Sequence, residues 1–230
     1  MAVNAYFRAS TDRVVVPIGR GLVRLGVTAN AITTIGLLGV LAGVGVVLAG
    51  RPVLGASVVA VAVALDAFDG TVARLTGTSS PFGAFYDSVA DRVSDATIFA
   101  AYAWVARDDA LVFTLVMIAF AAAMLTSYIR AKAESLGWDA TVGIIERPER
   151  MAIVLPCLGL GLLALGGWVL AVGGLVTIAQ RLVAVRRQAG LDRARPGGGG
   201  WGHADQDDDR RYVQRHRERR GLRGGGPRDG

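Results

Sequence analysis

The sequence predicts an all-α fold: an integral membrane bundle of six transmembrane helices with an N-terminal amphipathic helix at the interface. Three observations predict it. Of the 230 residues, 52% are hydrophobic and the mean hydropathy is +0.43, too apolar for a soluble domain of this size. The apolar residues gather into six runs, each close to the roughly 20 residues that cross a bilayer. The cationic residues avoid alternate loops, the bias that orients inserted helices.

The elements follow in order. Residues 1–28 are a juxtamembrane segment, and within it 11–27 read as an amphipathic helix on the membrane surface. Arg13, Arg20 and Arg24 share one face of it, and Val14, Ile18, Leu22 and Leu25 another. The first span is placed near 30–49, where Asn30 and Thr33 either cap the helix or face a site. The second and third, near 53–74 and 83–105, carry the acids discussed below. The fourth, near 110–132, ends in Ser127-Tyr128-Ile129-Arg130-Ala131-Lys132. The fifth, near 149–166, has Pro148 in its first turn, where a missing N–H costs nothing. Gly166-Gly167 is expected to make a tight outer turn into the sixth, near 168–186. The membrane domain thus covers 29–189. Residues 190–230 are Gly-rich and basic, cannot bury a core, and are expected to be a disordered cytoplasmic tail.

Charge sets the orientation. Arg51 and Arg107 are the only basic residues in the three loops of one side. Arg74, Arg130, Lys132, Arg147, Arg150 and the tail lie on the other, which is therefore cytoplasmic, together with both termini. The first thirty residues show no cleavable signal pattern. The protein is expected in the cell membrane as a multi-pass chain. Its net charge of +6 is a topology signal and an attraction to anionic membrane lipids, not a nucleic-acid footprint. Cys157 is the sole cysteine, so no intramolecular disulfide and no thiolate metal site can form.

The acids carry the chemistry. Asp66 and Asp69 are three residues apart, Asp87 and Asp91 four apart, so each pair shares a helix face. The two pairs are mirrored about a loop centred near Thr78, which brings all four to one depth. Carboxylates at the ends of membrane helices need a cation or a chemical role. Four converging hard oxygens suit Mg²⁺ or Mn²⁺, up to two ions. Gly70 and Ala73 leave room for a ligand beside the backbone, and the Arg74 fork suits phosphate oxygens. Asp91 is the best-placed base for an attacking hydroxyl. Asp95 continues the stripe and reads as supporting or packing rather than ligating. Arg130, Lys132, Arg147, Arg150 and Arg181 form a second, cationic set suited to a phosphorylated acceptor. Intramembrane acids also mark ion paths, so a divalent-cation transporter is the alternative from another class.

The pattern D-x2-D-G-x2-A-R-x8-G-x3-D-x3-D, formed by Asp66, Asp69, Gly70, Ala73, Arg74, Gly83, Asp87 and Asp91, resembles the signature of the CDP-alcohol phosphotransferase family. The resemblance covers about residues 10–186. It implies transfer of a phosphatidyl group from a CDP-linked lipid to an alcohol, with release of CMP. It implies that Asp66, Asp69 and Asp87 bind two divalent ions, with Asp91 as ligand and general base. Asn30, Thr33, Gly70, Ala73, Arg74 and Gly83 would hold the CDP-lipid. The stretches 127–134 and 145–150 are similar to those of the subgroup that makes phosphatidylinositol phosphate. That likeness implies CDP-diacylglycerol and inositol 1-phosphate as substrates and a homodimer. Glycerol 3-phosphate is the alternative acceptor, giving phosphatidylglycerol phosphate by the same chemistry.

Overall fold

A computed structural model of the protein describes residues 20–194, apart from 22, 25 and 67. From Ala29 onward, seven helices follow one another among the described residues: α1 (Ala29–Leu48), α2 (Pro52–Asp66), α3 (Asp69–Thr76), α4 (Pro81–Val105), α5 (Ala110–Ser135), α6 (Arg147–Gly159) and α7 (Leu163–Ala194). Most of the expected amphipathic helix over 11–27, and the tail beyond Ala194, lie outside the described residues.

Among the described residues, four stretches are long and apolar enough to cross a membrane: Ala29–Leu48, Pro52–Thr76, Ala110–Ser135 and Leu163–Leu191. They turn large apolar side chains outward, among them Ile35, Leu38, Val61, Leu111 and Leu175. Helix α4 has the length, at 25 residues, but carries Asp87, Asp91, Arg92 and Asp95. Helix α6 has 13 residues. At 1.5 Å per residue it is about 20 Å long, short of a hydrocarbon core.

The expected elements recur with three differences. The second span divides into α2, ending at Asp66, and α3, beginning at Asp69, and α3 closes on Gly77 in the left-handed conformation (φ 65°). There Gly77 N–H bonds Arg74 O and Thr78 N–H bonds Ala73 O, a Schellman motif that satisfies the last carbonyls. Gly166-Gly167 does not turn the chain; both residues lie inside α7. A Cβ on Gly167 would stand 3.2 Å from Leu115 Cβ, so these glycines admit a neighbouring helix. The turn falls earlier, at Gly161, whose φ of 73° suits only glycine comfortably. Helix α7 also continues past 186 to Ala194, because Gly190 alone, at about 1 kcal/mol, does not stop a helix rich in Ala, Leu and Arg.

The compact body runs to Val185; residues 186–194 are helical and belong to a separate C-terminal unit. Within the body, α1 packs on α2 and α4, α2 on α6, and α4 on α5. Ile98, Phe99, Tyr102, Val116, Val154 and Leu158 fill the centre. Lipid is as apolar as these side chains, so close contact rather than water exclusion holds them. The α1–α2 crossing shows it: a Cβ on Gly43 would lie 2.9 Å from Gly55 O, and one on Gly39 2.8 Å from Ala62 Cβ. Gly36 continues that seam to Asp66, where its Cβ would stand 3.4 Å from Oδ1. Small residues on α1 thus set the end of α2, where the first acid sits.

Candidate active site

Three helix ends meet at the acids. Asp66 closes α2, Asp69 opens α3 and Asp87 lies in the second turn of α4. One carboxylate oxygen from each falls within 4.8 Å of the other two. Thr33 on α1 donates from Oγ1 to Asp69 Oδ2 at 2.7 Å, and the Gly70 amide donates to Oδ1 of the same residue. The start of α4 is fixed by Ser80, whose Oγ accepts from Gly83 N at 3.0 Å, with Pro81 in the first turn. Three half-buried carboxylates this close repel one another, and three converging hard oxygens fit a divalent ion.

Asp91 lines the same cavity, of about 360 Å³, but stands outside the three-carboxylate group. Arg147 faces it. Its Nη2 lies 2.7 Å from Asp91 Oδ1, an ion pair whose angle is not that of a hydrogen bond, and its Nη1 donates to Asp66 Oδ2 at 3.5 Å. A guanidinium therefore already partners part of the acid cluster.

A second cavity, of about 260 Å³, adjoins the first through Asp69 and Asp87. Asn30, Thr33, Gly70, Ala73, Arg74 and Gly83 all line it. The nearest atom to a Cβ built on Gly70 is Arg74 Nη1 at 3.7 Å, so glycine leaves the wall open there. Arg74 Nη2 donates to Thr71 Oγ1 at 3.0 Å, which steadies the guanidinium at the rim.

The cationic set divides. Arg147 reaches Asp66 and Asp91, while Arg150 is buried and paired with Asp95. Arg181 is also buried: Nε donates to Val142 O at 2.9 Å, Nη1 to Thr126 O, and Nη2 to Glu146 Oε1 at 2.8 Å. Arg130 pairs with Glu134 on its own helix at 2.8 Å, and Lys132 is exposed in the last turn of α5. Glu146 escaped the sequence reading. It holds Arg181 and also caps α6 in a reciprocal box with Glu149. The visible signal was the Glu-x-x-Glu spacing ahead of an apolar run.

The CDP-alcohol phosphatidyltransferase family matches residues 26–182. The chain belongs to that family. It is therefore a multi-pass membrane enzyme, and the signature acids and small residues are the ones that line the two cavities. Curated family relatives are phosphatidylinositol phosphate synthases. That of Mycobacterium marinum is 37% identical over 191 residues, covering 77% of this chain and 82% of its own length. That of Streptomyces avermitilis is 37% identical over 204 residues, covering 81% and 84%. A crystal structure of the Mycobacterium tuberculosis enzyme with CDP-DAG bound matches with a TM-score of 0.71 at 34% identity, over 83% of this chain and 99% of that one. A second, in complex with manganese and citrate, matches with a TM-score of 0.71 at 33% identity, over 83% and 94%.

Proposed function

We propose that this chain transfers the phosphatidyl group of CDP-diacylglycerol to inositol 1-phosphate, giving phosphatidylinositol phosphate and CMP. The observation that carries the reading is the adjacency of the two cavities: an acid cluster and a small-residue pocket rimmed by Arg74 share Asp69 and Asp87. A diphosphate spanning both would place its nucleotide against Gly70, Ala73 and Gly83 and its lipid-side phosphorus over the acids. Asp66, Asp69 and Asp87, with Asp91 as a further ligand, would hold two Mg²⁺ or Mn²⁺ ions. Bound there, such ions neutralise the diphosphate and stabilise the departing CMP.

Asp91 takes the proton of the attacking hydroxyl. The new oxygen–phosphorus bond forms as the bond to CMP breaks, and the proton stays on the Asp91 carboxyl. Arg147 must release Asp91 for this to happen, and a freed guanidinium beside the site is a ready partner for the acceptor phosphate. Arg130 and Lys132 are exposed cations for the same anion, while Arg150 and Arg181 brace the wall from inside.

The diacylglycerol has a place to go. An apolar groove of about 500 Å³ runs between α2 and α6, lined in part by Ala56, Ala60 and Leu155. It shares Val63 and Met151 with the acid cavity, so an acyl chain hanging from the reacting phosphate would enter it. We read α4 as a further span and α6, short by itself, as the sixth when extended by the turn at 160–162, with the site and both termini at the cytoplasmic face of the cell membrane. The homodimer is inferred from the resemblance in 127–134 and 145–150. A cation-transport path is disfavoured, because Arg147 stands among the acids an ion would have to pass.

The test is product analysis by mass spectrometry with equimolar inositol 1-phosphate and glycerol 3-phosphate. Phosphatidylinositol phosphate is expected. Phosphatidylglycerol phosphate instead would keep the transfer chemistry and reassign the acceptor.

A further inference from the structure

Asp95 is a carboxylate with 0% exposure that the transfer reaction does not use. It lies one helical turn past Asp91 on α4, and its Oδ2 is bonded by Arg150 Nη2. Its Oδ1 has no hydrogen-bond partner. Arg147 Nε, also without a hydrogen-bond partner, stands 3.7 Å from that atom. Arg147 and Arg150 are three residues apart in the first turn of α6, so they share a face. The Glu146–Glu149 box and Pro148 fix that turn. One buried arginine and one at the mouth therefore face a single stripe of acids.

A pair buried this deeply adds little net stability over apolar residues of the same volume. What it does hold is the root of Arg147. The atoms Arg147 reaches, Asp91 Oδ1 and Asp66 Oδ2, belong to carboxylates that divalent ions would claim. Ions and guanidinium carry like charge and cannot both keep them. Asp95 Oδ1, in ion-pair range of Arg147 Nε but not hydrogen-bonded, is the acceptor that remains within reach.

We propose that Asp95 is a positioning residue: with Arg150 it holds Arg147 beside the acid cluster, where the guanidinium balances Asp66 and Asp91 until divalent ions displace it onto Asp95. The proposal rests on the reading of the acid cluster as a metal site.

The experiment is Mn²⁺ binding to the full-length protein in detergent, read as free Mn²⁺ by electron paramagnetic resonance. Asp95→Asn should weaken binding about tenfold, because the displaced guanidinium loses its second partner. In an Arg147→Gln background the same replacement should change affinity by less than about twofold. Equal weakening in both backgrounds makes Asp95 a bare charge acting on the ions and overturns the proposal. No weakening in either makes the pair structural and also overturns it. Should Asp95→Asn fail to fold, Asp95→Leu with Arg150→Met replaces the pair by apolar side chains. Wild-type Mn²⁺ affinity in that variant overturns the proposal, and a weakening that Arg147→Gln cancels upholds it. A wild-type protein that binds no Mn²⁺ fails differently: it removes the metal reading and this proposal together.

Discussion

Arg147 Nη2 lies 2.7 Å from Asp91 Oδ1. The carboxylate proposed as the base is thus held by a cation from the first turn of a different helix. That cation also reaches Asp66, so one side chain touches both the three-carboxylate group and the proposed base.

Asp91→Asn keeps the shape of the side chain and removes the charge. It should lower CMP release by about 100- to 10,000-fold, the range a general base supplies. The thermal transition should stay close to that of the wild type. A folded variant with full turnover would remove Asp91 from the role of base.

Thr33→Val deletes the 2.7 Å hydrogen bond to Asp69 while preserving volume. Partners that orient a ligand typically carry about 10- to 100-fold in metal affinity or activity. The loss should appear as a higher Mg²⁺ requirement, measured by titrating the metal at fixed CDP-diacylglycerol. An unchanged metal titration would leave Thr33 only its bond to Ala29 O within α1.

The acids illustrate what a sequence makes legible. Mirrored spacing about Thr78 was enough to bring Asp66, Asp69 and Asp87 together, because helix periodicity and a short loop leave little freedom. The residues that line the adjoining pocket, Asn30 and Thr33 on α1 among them, came instead from the resemblance to the family signature. Other features were not legible. The division between α2 and α3 falls inside a run with neither proline nor glycine between Asp66 and Asp69 to announce it. Gly166-Gly167 reads equally as a turn or as a close helix crossing, and the neighbours Tyr102, Cys157 and Leu115 decide for the crossing. The cations looked alike in sequence. Burial separates Arg150 and Arg181, tied to Asp95 and Glu146, from exposed Arg130 and Lys132.

Arg181→Met should therefore act mainly on stability. It leaves Thr126 O and Val142 O without their donor and costs about 2 kcal/mol. The expected readout is a lowered melting temperature. Arg130→Gln should instead leave the melting temperature unchanged and raise the KM for the acceptor. Reversal of these two outcomes would put the acceptor on Arg181.

Ala60→Trp places a large ring in the groove between α2 and α6. The KM for long-chain CDP-diacylglycerol should rise about tenfold, equivalent to about 1.4 kcal/mol of binding. A short-chain analogue should be far less affected. Equal KM changes for both lipids would mean that the acyl chains lie elsewhere.

The most direct test of the central claim is CMP release by the purified wild-type protein with CDP-diacylglycerol, with and without Mg²⁺. Inositol 1-phosphate, free inositol and glycerol 3-phosphate would be offered in parallel. Mg²⁺-dependent release with inositol 1-phosphate alone is the predicted result. Release with none of the three, or release indifferent to Mg²⁺, would contradict it.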